Sequence, residues 1–250
     1  MEHEQLYQEE EYWLPYHYIA QFNPRFRQNF NDGWGINYTS TIEFLLERIR
    51  TIAPSSIIDV GCGDGRFTRE LALMLPDKAV RGLDYSHRAI GLAKAMNSDI
   101  PGLRFVACDI TSPTDEAPAS VAVLMEVFEH IPPEISDAFL AGVRRLLQPN
   151  GMLLLTVPHL NTPVEPKHFR HFSIDSIQLA LSSHFDVLEV VPFEKKSVRR
   201  AFIRWLLGND LFILNNDAML DWIYRYYKRH LFNCREEDEC QRIFVSARAK

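Results

Sequence analysis

The sequence predicts an α/β protein built on a doubly wound, mostly parallel sheet, and three observations carry that prediction. Short apolar runs alternate with helical stretches along most of the chain. The first run ends in three glycines at alternate positions, Gly61, Gly63 and Gly65, with a helical stretch directly behind them. Later runs end on acidic residues, Asp84, Asp109 and Glu126, at what becomes the carboxyl edge of such a sheet, where ligands bind.

Taken in order, Ser56 to Val60 reads as a buried strand and Arg66 to Leu75 as the helix after it. A strand that stops at glycines and re-enters as a helix leaves main-chain N–H groups facing a ligand, which suggests a nucleotide-type cofactor cradle. Ala79 to Asp84 is a second strand, and Ser86 is placed to cap a helix running to about Asn97. Leu103 to Asp109 is a third strand and Ser120 to Met125 a fourth. A helix from about Glu134 to Leu147 should stop at Pro149, Asn150 and Gly151, with a fifth strand over Met152 to Val157. Ser173 can cap a helix to Ser182; Phe185 to Val191 and Arg242 to Arg248 complete the set as sixth and seventh strands. The chain shows no internal repeat and no low-complexity segment.

Composition narrows the class. At 250 residues and 46% apolar, the chain is long enough for one large core. A net charge of −6 lacks the basic balance of a protein that grips phosphates, so a nucleic-acid partner is not expected. Cys62, Cys108, Cys234 and Cys240 show no C-x-x-C spacing, which points to reduced thiols and a cytoplasmic setting. Met1 to Glu11 is Glu-rich, and no run of about 18 apolar residues occurs, so neither a signal peptide nor a spanning helix is expected.

The glycine spacing selects the cofactor. A dinucleotide loop calls for G-x-G-x-x-G, whereas this loop is G-x-G-x-G with Asp59 two residues ahead of Gly61. That pattern resembles the first motif of the class I S-adenosylmethionine (SAM) methyltransferases, and the likeness covers roughly residues 55 to 192. The resemblance implies a Rossmann-like seven-stranded methyltransferase sheet, mostly parallel with the last strand antiparallel, and SAM as cofactor. It places Asp59, Gly61, Cys62, Gly63, Gly65 and Arg66 around the cofactor, Asp84 with Tyr85 at its ribose, and Asp109 with Ile110 at its adenine. Met125 and Glu126 fall beside the methionine moiety and the transferred methyl. On chemistry alone, a carboxylate such as Asp84 can accept both ribose hydroxyl hydrogens.

A second constellation bears on the reaction. Glu126, Glu129 and His130 form E-x-x-E-H after the fourth strand, and His159, His168 and His171 follow the fifth. Two carboxylates and two imidazoles suit a divalent cation such as Mg, Mn, Fe or Zn. The arrangement resembles the metal site of the methyltransferases that act on the terminal ribose of small RNAs, with Glu126, Glu129, His130 and His168 as ligands. E-x-x-E-H also resembles the ubiquinone-pathway O-methyltransferases. His130, His168 and His171 are the candidate catalytic residues, each able to take a proton from an attacking hydroxyl.

Both ends add to the core. Residues 1–50 are expected to form a helical and aromatic cap with Tyr12, Trp13, Tyr16, Tyr18, Trp34 and Tyr38, a helix from about Ser40 to Ile49, and His17 as a pocket candidate. Residues 51–250 then form the methyltransferase domain, with a helical insertion at about 195–239. Over 195–232 the insertion interleaves basic residues with Trp, Tyr, Phe and Leu, a pattern that suits peripheral membrane contact, a substrate lid, a homodimer interface or ordinary packing.

The function these features predict is SAM-dependent O-methylation of a hydroxyl on a small molecule, a glycan or glycolipid sugar or a quinone-like phenol. Asn161 to Phe172 also resembles methyltransferases of bacterial surface-polysaccharide pathways. An RNA ribose 2′-O-methyltransferase is the alternative within enzymes, and a non-catalytic SAM-binding scaffold the alternative outside them. Glu126, Glu129, His130 and His168 speak against the scaffold, which has no need of them.

Overall fold

A computed structural model of the chain describes residues 20–21, 26–28 and 33–250. The segment carrying Tyr12, Trp13, Tyr16, His17 and Tyr18 lies outside the described residues. Two residue pairs, Ala20–Gln21 and Arg27–Gln28, form a minimal antiparallel ladder ahead of the main fold.

Seven strands form one sheet: β1 (Ser56–Val60), β2 (Ala79–Asp84), β3 (Arg104–Ala107), β4 (Ala119–Met125), β5 (Leu147–Pro158), β6 (Phe185–Lys195) and β7 (Cys240–Ala249). Their order is β3-β2-β1-β4-β5-β7-β6, with parallel pairing from β3 to β5 and β7 antiparallel to both neighbours. The expected architecture, including its antiparallel last strand, is the one observed. Helices α1 (Gly35–Ile52), α2 (Arg66–Met74), α3 (His87–Met96), α4 (Ser136–Arg145), α5 (Ile174–Leu181), α6 (Val198–Leu207) and α7 (Asp217–Tyr227) surround it. Among the described residues no helix is long and apolar enough to cross a membrane.

The apolar runs are continuous because the sheet is covered on both faces. Along β4, Val121 and Val123 pack into one cluster with α1, α2 and the insertion helices, while Ala122 and Leu124 pack into the opposite cluster with α4 and α5. Each fully buried Ile, Leu or Phe contributes roughly 1.5–3 kcal/mol. The helix starts follow the capping residues: Ser86 Oγ accepts from Ala89 N at 3.1 Å, and Ser173 forms a reciprocal capping box with Ser176.

Boundaries shift where tertiary pairing overrides local signals. The helix expected to reach Leu147 ends at Arg145, because Leu147 already pairs with Ala119 on β4. Asn150, at φ 60°, supplies the left-handed step that Pro149-Asn150-Gly151 promised, inside the first part of β5. Helix α1 begins at Gly35 rather than near Ser40, since Trp34 stacks on Tyr38 at 4.6 Å and Ile36 is already core. Strand β3 is shorter than expected, and β6 and β7 are longer. All four cysteines are free thiols.

Two glycines separate backbone need from convenience. Gly65 sits at φ 79°, and a Cβ there would lie 2.6 Å from the Phe105 ring, whereas a Cβ on Gly91 in α3 meets nothing within 4 Å. Gly65→Ala is therefore expected to cost about 1–3 kcal/mol of unfolding free energy. Gly91→Ala should instead gain about 0.5–1 kcal/mol, and denaturant titration of both variants reads the difference.

Candidate cofactor and acceptor site

The glycine loop connects β1 to α2 and is held from below. Gly61 N and Cys62 N donate to Leu83 O at 2.7 and 3.0 Å, Gly63 N donates to Asp84 Oδ2 at 2.9 Å, and Gly65 N donates to Cys62 O at 2.9 Å. The expectation that these amides face the ligand is thus corrected: the loop spends them on β2 and on itself. What the glycines supply is positive φ, at 74°, 55° and 79°, and the absence of side chains. A Cβ on Gly61 would lie 2.6 Å from Val127, so this glycine also lets the loop after β4 approach.

The other expected cofactor residues take definite places around this loop. Asp59 is buried and accepts from Thr68 Oγ1 at 2.6 Å, and burial first, then the nearby carboxylates Asp84 and Asp64, push its pKa up to about 7. Cys62 points its buried thiol at Gly82 and Phe105. Arg66 pairs with Glu70 one turn along α2. Asp84 ends β2 and accepts from Gly63 N and Ser86 N, one on each carboxylate oxygen. Its neighbour Tyr85 is 44% exposed. Asp109 accepts from both N and Oγ1 of Thr111, and Ile110 is buried in the α4 side of the core.

The acceptor end is built by two segments that meet. After β4, Phe128–His130 forms a single 3-10 turn. After β5, residues 159–172 leave and return, closed where Phe172 N donates to Pro158 O at 3.1 Å and Leu160 N to Phe172 O at 3.0 Å. Phe169 N donates to Glu129 O at 2.9 Å, and the Arg170 guanidinium stacks over Phe128 and Phe172 at 5.0 and 5.1 Å. These contacts bring one carboxylate oxygen of Glu129 and one ring nitrogen each of His130 and His168 within 4.8 Å of one another.

The histidines are oriented from behind. His130 Nδ1 lies 3.0 Å from Lys167 O, and a carbonyl only accepts, so Nδ1 carries the proton. His171 Nδ1 lies 2.9 Å from Thr162 O, and His171 Nε2 lies 2.8 Å from His168 Nδ1. With one proton per ring, His168 must donate from Nδ1 and present a lone pair at Nε2. Burial first, then the neighbouring His130, His171, Lys167 and Arg242, lowers the His168 pKa to about 2, so the ring is neutral. Glu129 moves the opposite way: it is fully buried with neither oxygen hydrogen-bonded, and burial, then Glu126, holds its pKa well above the ordinary carboxylate range.

Two expectations are revised by this geometry. Glu126 stands outside the Glu129, His130 and His168 cluster, because its Oε2 accepts from Arg242 Nε at 2.8 Å. His171 sits behind His168 rather than in the cluster, as a positioning residue. His159 turns away altogether, with Nε2 2.9 Å from Glu237 Oε1 and Nδ1 accepting from Asn161 N.

Sequence reasoning missed the group that holds Glu126. Arg242 on β7 also pairs with Glu194 on β6, Glu194 pairs with Arg200 on α6, and Tyr227 on α7 donates to Glu194 Oε1 at 3.3 Å. Glu126 and Glu194 both adopt left-handed φ, 55° and 60°, an arrangement that costs on the order of 1–3 kcal/mol each. The two carboxylates hold the Arg242 pKa above its ordinary value despite burial, and the two arginines hold Glu194 below its own. Nothing local in the sequence marks this network.

Comparison with known proteins agrees with fold and loop. Residues 57–151 match a protein family described as a methyltransferase domain. Trans-aconitate 2-methyltransferase of Methylobacterium nodulans is 32% identical over 50% of this chain and 45% of its own length. The malonyl-[acyl-carrier protein] O-methyltransferase of Halalkalibacterium halodurans is 31% identical over 41% of this chain and 39% of its own. The chain thus spans about half, or less, of the length of these curated relatives. Among solved structures, the N-methyltransferase NodS of Bradyrhizobium japonicum with bound S-adenosyl-L-homocysteine superposes with a TM-score of 0.57 at 16% identity, covering 88% of this chain and 93% of that one. A SAM-dependent methyltransferase of Archaeoglobus fulgidus gives 0.53 at 15% identity, over 83% and 94%. The chain thus shares the fold of SAM-dependent methyltransferases, and its residues 57–151 match a methyltransferase domain.

Asp59 gives the loop a pH signature. Its acid is uncharged in the fold up to about pH 7, whereas in the unfolded chain it ionises from about pH 4. Its contribution to stability is therefore complete below about pH 4 and lost as pH rises to about 7, a fall on the order of 4 kcal/mol. Denaturant unfolding across that window should show the fall in the wild type and a flatter profile in Asp59→Asn.

Proposed function

We propose that this protein transfers the methyl group of SAM to a hydroxyl oxygen of a small acceptor, a sugar of a glycan or glycolipid or a quinone-like phenol. The observation that supports it most is the pair of imidazoles presenting Nε2 beside the carboxyl end of β4, next to the glycine loop. A hydroxyl lying against these rings attacks the sulfonium methyl, forming the O–CH3 bond as the C–S bond breaks and sulfur leaves as a neutral sulfide. The hydroxyl proton enters at His168 Nε2 while the Nδ1 proton passes to His171 Nε2 across their 2.8 Å contact. That relay places the positive charge on His171, backed by Thr162 O, and not in the buried cluster, which offsets the weak basicity of His168.

Asp84 is proposed to hold the ribose, its remaining lone pairs accepting the two hydroxyl hydrogens, with Asp109 and Ile110 at the adenine and Met125 near the methyl. Oxygen as the acceptor atom accords with the likeness to the O-methyltransferase of Halalkalibacterium halodurans. The net charge of −6 favours a small acceptor over RNA.

The orphaned carboxylate of Glu129 favours a second use of the same cluster. Glu129, His130 and His168 offer one hard oxygen and two imidazole nitrogens within 4.8 Å, a donor set that fits a divalent cation. Such an ion supplies one thing there, a lowered pKa for a bound hydroxyl. Glu129 then ionises, and His171 fixes the His168 ring as an outer partner.

Turnover to S-adenosylhomocysteine, with SAM binding followed by calorimetry, tests both uses. Asp84→Ala should lose SAM binding, whereas His168→Ala should bind SAM and lose about 10²–10⁴-fold in turnover. Equal loss of binding in both variants contradicts the separation of the two sites. Activity removed by a chelator and restored by a divalent cation supports the metal; full activity in metal-free protein rules it out.

A further inference from the structure

Insertion helices α6 and α7 are apolar on two sides. Inwardly, Ile203 and Leu207 of α6 and Leu220, Ile223 and Tyr227 of α7 join the core with Ile36 and Ile42 of α1. Outwardly, Val198, Phe202 and Trp205 form an i, i+4, i+7 stripe directly opposite the buried Arg200, Ile203 and Leu207. Val198 is 87% exposed and Trp205 51%; the connecting Leu211, Phe212 and Ile213 are exposed too, as are Met219 and Trp222 of α7. Eight of the fourteen exposed large apolar side chains among the described residues thus fall within residues 198–222. Scattered exposed hydrophobics are ordinary on a soluble surface, but a concentration of this kind marks an interaction face. The two helices share that face: Arg199 of α6 donates to Tyr226 Oη of α7 at 3.2 Å, and Tyr226 stacks on Trp222 at 5.6 Å.

Charge decides what covers it. Residues 195–232 hold eight Lys and Arg against three Asp, in a chain whose net charge is −6. Lys196, Arg204, Arg225 and Arg229 are exposed, while the Lys195, Arg200 and Lys228 cations are already paired with Glu239, Glu194 and Glu43. A second copy meeting this face through a twofold axis would set like charges against each other. An anionic bilayer meets the same arginines with opposite charge, and Trp, Phe and Leu are the side chains that enter the headgroup boundary. We propose that the outer face of α6, its following loop and α7 docks on an anionic phospholipid surface. This surface is distinct from the methyl-transfer site and does not depend on which acceptor is methylated.

Co-sedimentation of the full chain with vesicles of mixed phosphatidylcholine and phosphatidylglycerol, against phosphatidylcholine alone, tests the proposal. The protein should sediment with the anionic vesicles, and binding should weaken with salt. Two triple variants, Phe202→Ser/Trp205→Ser/Trp222→Ser and Arg204→Glu/Arg225→Glu/Arg229→Glu, should each lower the partition more than about tenfold without shifting thermal unfolding, because every changed side chain is exposed. The charge-reversal set keeps the test decisive should the apolar set misfold. Absence of binding to anionic vesicles, equal binding to both lipid mixtures, or a solution dimer that the serine variants dissociate each overturns it.

Discussion

One buried guanidinium joins the parts of this molecule that the chain keeps far apart. Arg242 lies on β7, opposite Pro158 on β5 and Phe193 on β6, and reaches the carboxylates of Glu126 and Glu194. Glu126 is the first residue beyond β4, and Glu194 belongs to the end of β6 that leads into the insertion. Through Arg200 and Tyr227 the same carboxylate fastens both insertion helices. Removing one partner from such a buried network leaves an uncompensated charge and costs on the order of 3–5 kcal/mol. Both glutamates of the network stand at left-handed φ, 55° and 60°, a backbone conformation that L side chains rarely adopt.

From that clamp the acceptor end follows. With Glu126 turned onto Arg242, the chain continues through Val127, which touches Gly61 of the cofactor loop, into the turn that carries Glu129 and His130. The returning loop after β5 then lays His168 against His130, edge to face at 4.7 Å. Burial acts on Glu129 and His168 in opposite directions, raising the pKa of the acid and lowering that of the ring, which favours the uncharged form of both.

The parts legible in the sequence are those with local causes. Seven strands could be read because two-sided burial makes each an apolar run, and Ser86 and Ser173 start their helices because capping is decided within three residues. The Glu129, His130 and His168 group was legible from one motif and one cap position. Glu126 was misjudged as a ligand because Arg242, its partner, lies 116 positions away on a strand inserted between β5 and β6. The loop amides were misassigned for the same reason: three glycines announce positive φ, but Leu83 O, which takes two of the amides, is visible only once β2 lies beside β1.

Arg242 joins the turn after β4 to the insertion, and the two sides should be coupled energetically through it. A double-mutant cycle on Glu126→Gln and Glu194→Gln, read as unfolding free energy by denaturant titration, measures that coupling. A coupling of about 2 kcal/mol or more is expected, within the range seen for residues of one buried network. Additivity to within about 0.5 kcal/mol would contradict it, and would make the two carboxylates independent neighbours of the arginine.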